Sequence, residues 1–317
     1  MLGISSVRMV TSEGYEQLDA SDWATIGEET DGRSEHRWFR RPGDPRPWLY
    51  KPVEIKDGHR QGEDWAEKAA SEIAKLLTVP AADIELAQRH GHAGLISRDI
   101  KPKDWDLQPG AALLGGFVQD YESRTKFRDG HNLENIITAL TDAAPPPDRA
   151  EVEDMAAFDV FAGYLVLDAL VANQDRHDHN WAVLLPPGRG AARLAPSYDH
   201  ASSLGFNLTD TERERRLADG SLDAWALRGR AFRFEHQPPA SSVETLVHLA
   251  VRACRRASAG ARDRWESRVR GLDMRDVAHV LNSIPVLSVP GATFAARLVE
   301  ANRRRLLEAW GQEGDDT

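Results

Sequence analysis

Apolar residues recur at helical spacing over residues 63–77, where Trp65, Ala69, Ile73 and Leu76 fall on one face and Thr78-Val79-Pro80 supplies the stop. Glu72 shares that face, where an unpartnered carboxylate is costly, whereas Glu63 and Glu67 lie off it and read as solvated. Ahead of this helix the pattern shortens. Arg37-Trp38-Phe39 and Trp48-Leu49-Tyr50-Lys51-Pro52 are aromatic and extended, with the turn-rich Arg41-Pro42-Gly43-Asp44-Pro45 between them, which predicts two paired strands. Behind the helix, residues 83–87 and 94–100 predict two more strands around a glycine-bearing turn. Helical patterns then dominate, over residues 133–140, 152–172, 243–257, 274–284 and 295–310. The layout is α+β, with a small β-rich unit holding one helix up to about residue 100 and a larger, mainly helical unit over residues 101–317.

Composition narrows the class. A chain of 317 residues, 41% hydrophobic and 28% charged, has the apolar content for a substantial core. Its single cysteine, Cys254, excludes an internal disulfide framework and a CxxC metal site, and no basic-then-apolar leader opens the chain, so a reducing cytoplasm is the expected compartment. The apolar run at residues 158–172 is interrupted by Asp159 and Asp168 and is shorter than a bilayer crossing needs, so it reads as a buried helix and not a membrane span. The formal net charge of -10 argues against a surface that tracks a nucleic-acid backbone, so no direct nucleic-acid binding is expected. Arg255, Arg256, Arg262 and Arg264 read as a solvated helix face, and Trp181 and Trp225 as core.

The chemistry concentrates in one segment. Asn173-Gln174-Asp175-Arg176-His177-Asp178-His179-Asn180 follows the buried helix and runs into the apolar Trp181-Ala182-Val183-Leu184-Leu185. A short loop between two rigid elements thus carries Asp175 and Asn180. Phosphoryl transfer needs a carboxylate beside the attacking hydroxyl and oxygen ligands that hold magnesium against the triphosphate, and a D-x-x-x-x-N loop supplies one of each. Asp199, in Pro196-Ser197-Tyr198-Asp199 after a Gly/Pro turn, offers the second metal ligand. A metal-hydrolase site from Asp175, His177, Asp178, His179 and His200 is the competing reading, although the spacing matches no recognised hydrolase motif.

D-x-H-x-x-N, an apolar strand, a turn and Tyr-Asp together resemble the HipA-like kinase family, and Asp-Arg-His-x-x-Asn is also similar to the catalytic loop of phosphoinositide 3/4-kinases. The upstream order agrees over most of residues 45–310: Trp48-Leu49-Tyr50-Lys51, then Glu63-Asp64-Trp65-Ala66-Glu67 with Ser71-Glu72-Ile73-Ala74, then Val79-Pro80, then Gly94-Leu95-Ile96-Ser97-Arg98. The resemblance implies a bilobal protein-kinase-like fold with ATP between the lobes and Mg²⁺ as its companion. It casts Lys51 on the ATP phosphates with Glu72 as its partner, and the backbone of Ile96, Ser97 and Arg98 as the hinge that receives adenine. Asp175 becomes the catalytic carboxylate, Asn180 and Asp199 the metal ligands, and His177 either orients the catalytic loop or touches the transferring phosphate. It favours a protein Ser/Thr acceptor and leaves open a small-molecule or phosphoinositide-like acceptor, an inactive nucleotide-binding module, and an antitoxin-like or regulatory partner. The phosphate loop departs from the pattern, with only Gly27 and Gly32 before the Arg37 strand, and Thr30 and Ser34 beside it are candidate autophosphorylation sites. Ser97-Arg98-Asp99-Ile100-Lys101-Pro102-Lys103-Asp104 imitates the catalytic loop of ordinary protein kinases, but Ser and Asp stand where His and Asn belong, so it reads as hinge and linker. Substrate contacts are expected from residues 201–239, which follow Asp199.

Overall fold

The computed structural model describes residues 14–28, 37–123 and 125–312. Thr30, Gly32 and Ser34, and with them the autophosphorylation reading, lie outside the described residues. Strands β1 (Gln17–Asp19), β2 (Ala24–Glu28), β3 (Arg37–Arg40) and β4 (Pro47–Pro52) lead to a small ladder of β5 (Ile55–Lys56) and β6 (His59–Arg60). Helix α1 (Glu63–Leu76) follows, then β7 (Ile84–Arg89) and β8 (His92–Arg98). Six of these strands make one sheet in the order β1-β7-β8-β4-β3-β2, antiparallel except where β1 joins β7.

Side chains alternate across a strand, and β4 uses this to separate two tasks. Trp48 and Tyr50 bury one face of the sheet with Phe39, Ala87 and Ile96. Lys51 therefore points to the opposite face, the one that α1 covers. Helix α1 packs against β7 and β8 on one side and against the helical lobe on the other, so every residue from Asp64 to Ser71 is buried.

The second lobe opens with β9 (Asp106–Pro109), α2 (Gly110–Gly115) and α3 (Leu133–Leu140). Its centre is α4 (Ala157–Val171), apolar all round except Asp159 and Asp168 and buried at every residue. Strands β10 (Ala182–Leu185) and β11 (Arg193–Leu194) complete a three-stranded sheet with β10 in the middle. Then come α5 (Asp210–Ala218), α6 (Leu222–Ala226), α7 (Leu246–Arg256), α8 (Ala259–Gly271), α9 (Met274–Asn282) and α10 (Val289–Gly311). Helices α3, α7, α8 and α10 surround α4.

The α4 start lies later than the pattern at residue 152 predicts, because residues 150–152 form a separate 3₁₀ turn. Asp159 is satisfied by the N-terminus of α8, accepting from Ser258 N (2.9 Å) and Ser258 Oγ (2.6 Å). Helix α10 begins earlier than residue 295, since Ser288 caps it and Pro290 occupies the first turn, where a missing N–H costs nothing. In the arginine patch, Arg256 pairs with Glu134 and Arg264 lies 3.6 Å from Asp154, which fits a surface knitted by ion pairs. Among the described residues no helix is long and apolar enough to cross a membrane.

Candidate active site

The turn after α4 is built around one buried arginine. Ala172 ends the helix in the left-handed region at φ 55°, sending the chain back so that Arg176 reaches the Asp168 carboxylate from below. Its Nε donates to Asp168 Oδ2 (2.8 Å) and its Nη2 to Asp168 Oδ1 (2.9 Å), a two-point pairing between side chains 1% and 2% exposed. Nη1 donates to Asn180 O (2.5 Å) and Nη2 to Ser197 Oγ (2.8 Å). Arg176 therefore ties the loop carrying Asp175 to the segment carrying Asp199. His200 joins the same network through Ser197 Oγ (2.7 Å), and burial pushes its ring down to about 4.

The loop closes on itself. His177 N donates to Asp175 O (2.7 Å), Asn180 N to His177 O (2.8 Å) and Asn180 Nδ2 to Asp175 O (2.8 Å). With its amide nitrogen committed to a carbonyl, Asn180 keeps its Oδ1 as an acceptor with no hydrogen bond among the described residues. His177 Nδ1 accepts from His179 N (3.1 Å), so the neutral ring carries its proton on Nε2. Burial holds His177 below the ordinary imidazole value despite Asp175 and Asp199 nearby. Asp175 itself is 27% exposed and accepts from Arg233 Nε at 2.6 Å.

Across the cleft, Asp199 sits in the left-handed region at φ 62° and meets Lys51 Nζ at 2.9 Å, a contact between the sheet and the helical lobe. Lys51 beside it holds the Asp199 carboxyl down to about 2. Glu67, 1% exposed on α1, lies 3.7 Å from the same ammonium, and burial pushes its carboxyl upward.

Two assignments change. Glu72 does not pair with Lys51; its Oε1 accepts from Lys68 and Lys75, each at 2.8 Å. The apolar spacing of α1 shows one buried face, and Glu72 is the carboxylate on that face. With α1 packed on both sides, the buried carboxylate at Lys51 is Glu67, five residues away. The backbone of Ile96 and Ser97 and the N–H of Arg98 are likewise committed. Ile96 pairs with Tyr50 and Glu85, and Ser97 with Leu49 and Ile84. Arg98 pairs with Trp48 and donates its N–H to Asp83 O (3.0 Å). An interior strand has no free edge to offer a base. The linker that follows holds Ile100, which packs against Ile84 and Leu95 of the sheet and against Ala182 and Leu184 of β10.

The competing hydrolase set is not assembled. Asp178, 2% exposed, accepts from Tyr121 OH (2.7 Å), while His200 belongs to the Arg176 network and His179 is exposed beside Ser123. Beside Asp175 a cavity of about 220 Å³ is lined by Ser202, Phe206, Asn207, Trp225 and Arg233, all from the 201–239 segment. Trp225 is thus a cavity wall, half-buried against Phe294 (5.3 Å between centroids), whereas Trp181 is core at 2% exposure. Asp168, Arg176 and Arg233 are the site residues that pattern reading passed over. The available signal was Asp168, a charge inside a fifteen-residue apolar helix that demands a buried cation.

A sheet-bearing lobe and a helical lobe meeting at a lysine, two aspartates and an asparagine define a bilobal protein-kinase-like fold. The family model for the HipA-like C-terminal domain matches residues 20–265, and the chain belongs to that family. Among solved structures it is similar to the Helicobacter pylori proinflammatory kinase CtkA, with a TM-score of 0.70 and 15% identity over 92% of this chain and 96% of that one. It also matches HipA of Shewanella oneidensis MR-1, solved with HipB and operator DNA, with a TM-score of 0.44 and 14% identity over 96% of this chain and 68% of that one. No curated protein sequence matches.

Proposed function

We propose that this protein is an ATP-dependent phosphotransferase that moves the γ-phosphate to a hydroxyl, with protein Ser/Thr the favoured acceptor. The observation that carries the reading is the 2.9 Å contact between Lys51 and Asp199, which joins the two lobes within the cluster that also holds Asp175 and Asn180. Lys51 supplies a positive point charge for the triphosphate, and Glu67 takes the place given to Glu72 in keeping that ammonium on the cleft side. The linker after β8, residues 99–103, replaces Ile96–Arg98 as the adenine-facing backbone, and marks the boundary between a nucleotide lobe up to about residue 100 and a catalytic lobe beyond it.

Asn180 Oδ1 and the Asp199 carboxylate are hard oxygen donors of the kind magnesium prefers, so these two residues fit the ion. Bound there, magnesium supplies charge neutralisation for the phosphoryl oxygens. Asp175 orients the acceptor hydroxyl and takes its proton, and His177 lies within electrostatic reach of both Asp175 and Asp199. Arg176 holds the two loops in register, which is the positioning on which this chemistry depends.

The test is transfer of label from ATP in Mg²⁺ to a generic protein acceptor by wild type and by Asp175→Asn. Loss of at least about 10²-fold in the variant supports the assignment. A wild-type protein that binds no ATP overturns the reading.

A further inference from the structure

The transfer reading leaves a pair of guanidinium groups beside Asp175 unused. Hydrogen bonds from Glu235 N to His131 O (2.8 Å) and from His236 N to Phe127 O (3.0 Å) lay residues 127–131 alongside residues 233–236. His131 reinforces the join, its Nδ1 donating to Arg233 O (2.6 Å) while its Nε2 accepts from Trp181 Nε1 (3.1 Å). The join brings Arg128 and Arg233 together, and burial, then the Arg233 charge, hold Arg128 below the ordinary guanidinium value. Arg128 Nη1 is buried and has no hydrogen-bond partner among the described residues. Its backbone is held in the left-handed region at φ 57°. Asp178 and Asp175 offset part of this charge, but two guanidinium groups side by side in a half-buried place, one with a buried N–H that has no partner among the described residues, are complementary to a further anion.

The cavity shows where that anion comes from. Asp175 and Arg233 line it, Arg128 is near Arg233 but outside the lining, and Lys51, Asn180 and Asp199 do not line it, so it opens on the acceptor side of the catalytic carboxylate and not on the nucleotide side. Phe206 and Trp225 give it an apolar wall, and its volume of about 220 Å³ suits a side-chain-sized group.

We propose that Arg233 and Arg128 form an anion-recognition subsite, so that the enzyme selects hydroxyl acceptors carrying a carboxylate or phosphate close to the reacting oxygen. This rests on the phosphotransferase reading above. In the empty protein Arg233 Nε occupies Asp175 Oδ1. An acceptor anion draws the guanidinium to itself and frees Asp175 Oδ1 for the acceptor hydroxyl. The hydroxyl oxygen of the acceptor then bonds to the γ-phosphorus as the bond to the β–γ bridging oxygen breaks, ADP leaves, and the hydroxyl proton passes to Asp175.

The experiment measures kcat/KM for four acceptor sets under saturating Mg-ATP, with ATP binding measured separately. The sets are serine peptides with glutamate or phosphoserine neighbours, the same peptides with glutamine neighbours, glycerate and glycerol 3-phosphate, and uncharged polyols. Wild type is expected to favour anionic over neutral acceptors by about tenfold or more, in the peptide pair or the small-molecule pair, which also identifies the source of the anion. Arg233→Ala, and Arg128→Gln to a lesser extent, collapse that ratio, while Arg233→Lys retains part of it. A purely structural Arg233 would lower all four sets alike and leave the ratio intact, which overturns the proposal. Equal transfer to anionic and neutral acceptors, or transfer to none by a protein that binds Mg-ATP, overturns it while leaving nucleotide binding standing. Absence of ATP binding removes the phosphotransferase reading itself.

Discussion

Removing the carboxylate beneath the catalytic loop, by Asp168→Ala, is expected to cost on the order of 3–5 kcal/mol of stability. The figure follows from what remains. Arg176 is 1% exposed, and it would keep a full charge while losing both bonds to Asp168; Asn173 Nδ2 would lose its 2.8 Å bond to the same carboxylate. Against a total stability of about 5–15 kcal/mol for a folded domain, that is about a fifth or more. The cost belongs to the orphaned charge and not to the pair, so Asp168→Ala with Arg176→Met should recover a large part of it. Arg176 also holds Asn180 O and Ser197 Oγ, so the double variant should regain stability without regaining phosphoryl transfer. Urea unfolding of the wild type, both single variants and the double variant gives the cycle, with ATP turnover measured below each transition. Additive single effects, with no coupling between positions 168 and 176, would refute the account of Arg176 as a cation held by one buried partner.

Glu67→Gln is expected to lower kcat/KM for ATP by about tenfold while Glu72→Gln stays within about twofold of wild type and loses about 1 kcal/mol of stability through Lys68; steady-state kinetics and melting curves of the two variants separate these outcomes. Acid should destabilise the fold through His131 and His200, each held at about 4 by burial against about 6.5 when unfolded. The unfolded chain binds those protons first, so stability is full above pH 6.5 and falls between pH 6.5 and 4, by on the order of 3 kcal/mol per histidine. His131→Phe, measured by urea titration at pH 7 and pH 5, should shrink that loss. Gly163→Ala should destabilise despite better helix propensity, because an added Cβ meets Trp265 Cζ2 at 2.5 Å; thermal unfolding of the variant gives the sign.

Patterns that repeat within one element were legible in the sequence, and relations between elements were not. The apolar face of α1, the buried run of α4 and the loop from Asn173 to Asn180 are local, and spacing alone finds them. The choice between Glu67 and Glu72 is not local, since it depends on which elements cover α1, and a helix covered on both sides carries no readable polar face. The commitment of the Ile96 and Ser97 backbone is not local either, since β8 is an interior strand only once β4 and β7 flank it. Helix α5 was missed although its Thr209/Glu212 capping box is written in the sequence, because its body is almost wholly polar and shows no apolar period.

The charges of the site divide into two systems that meet at one residue. At the contact between the lobes Lys51 is shared by Asp199 and Glu67, and at the cavity Arg233 is held by Asp175 with Arg128 close behind it. His177 lies within electrostatic reach of Asp175, Asp199, Arg233 and Asp178, so it senses both. The two systems do not share a counter-ion: Asp175 is engaged by Arg233 and Asp199 by Lys51. Below both stands the Arg176–Asp168 pair, fully buried and bonded to the backbone of the Asn180 turn and to the Ser197 hydroxyl two residues before Asp199. A rigid buried core beneath two ion pairs suits the proposed phosphoryl transfer, which depends on a loop geometry that stays fixed when a charged ligand takes the place of one partner in a pair.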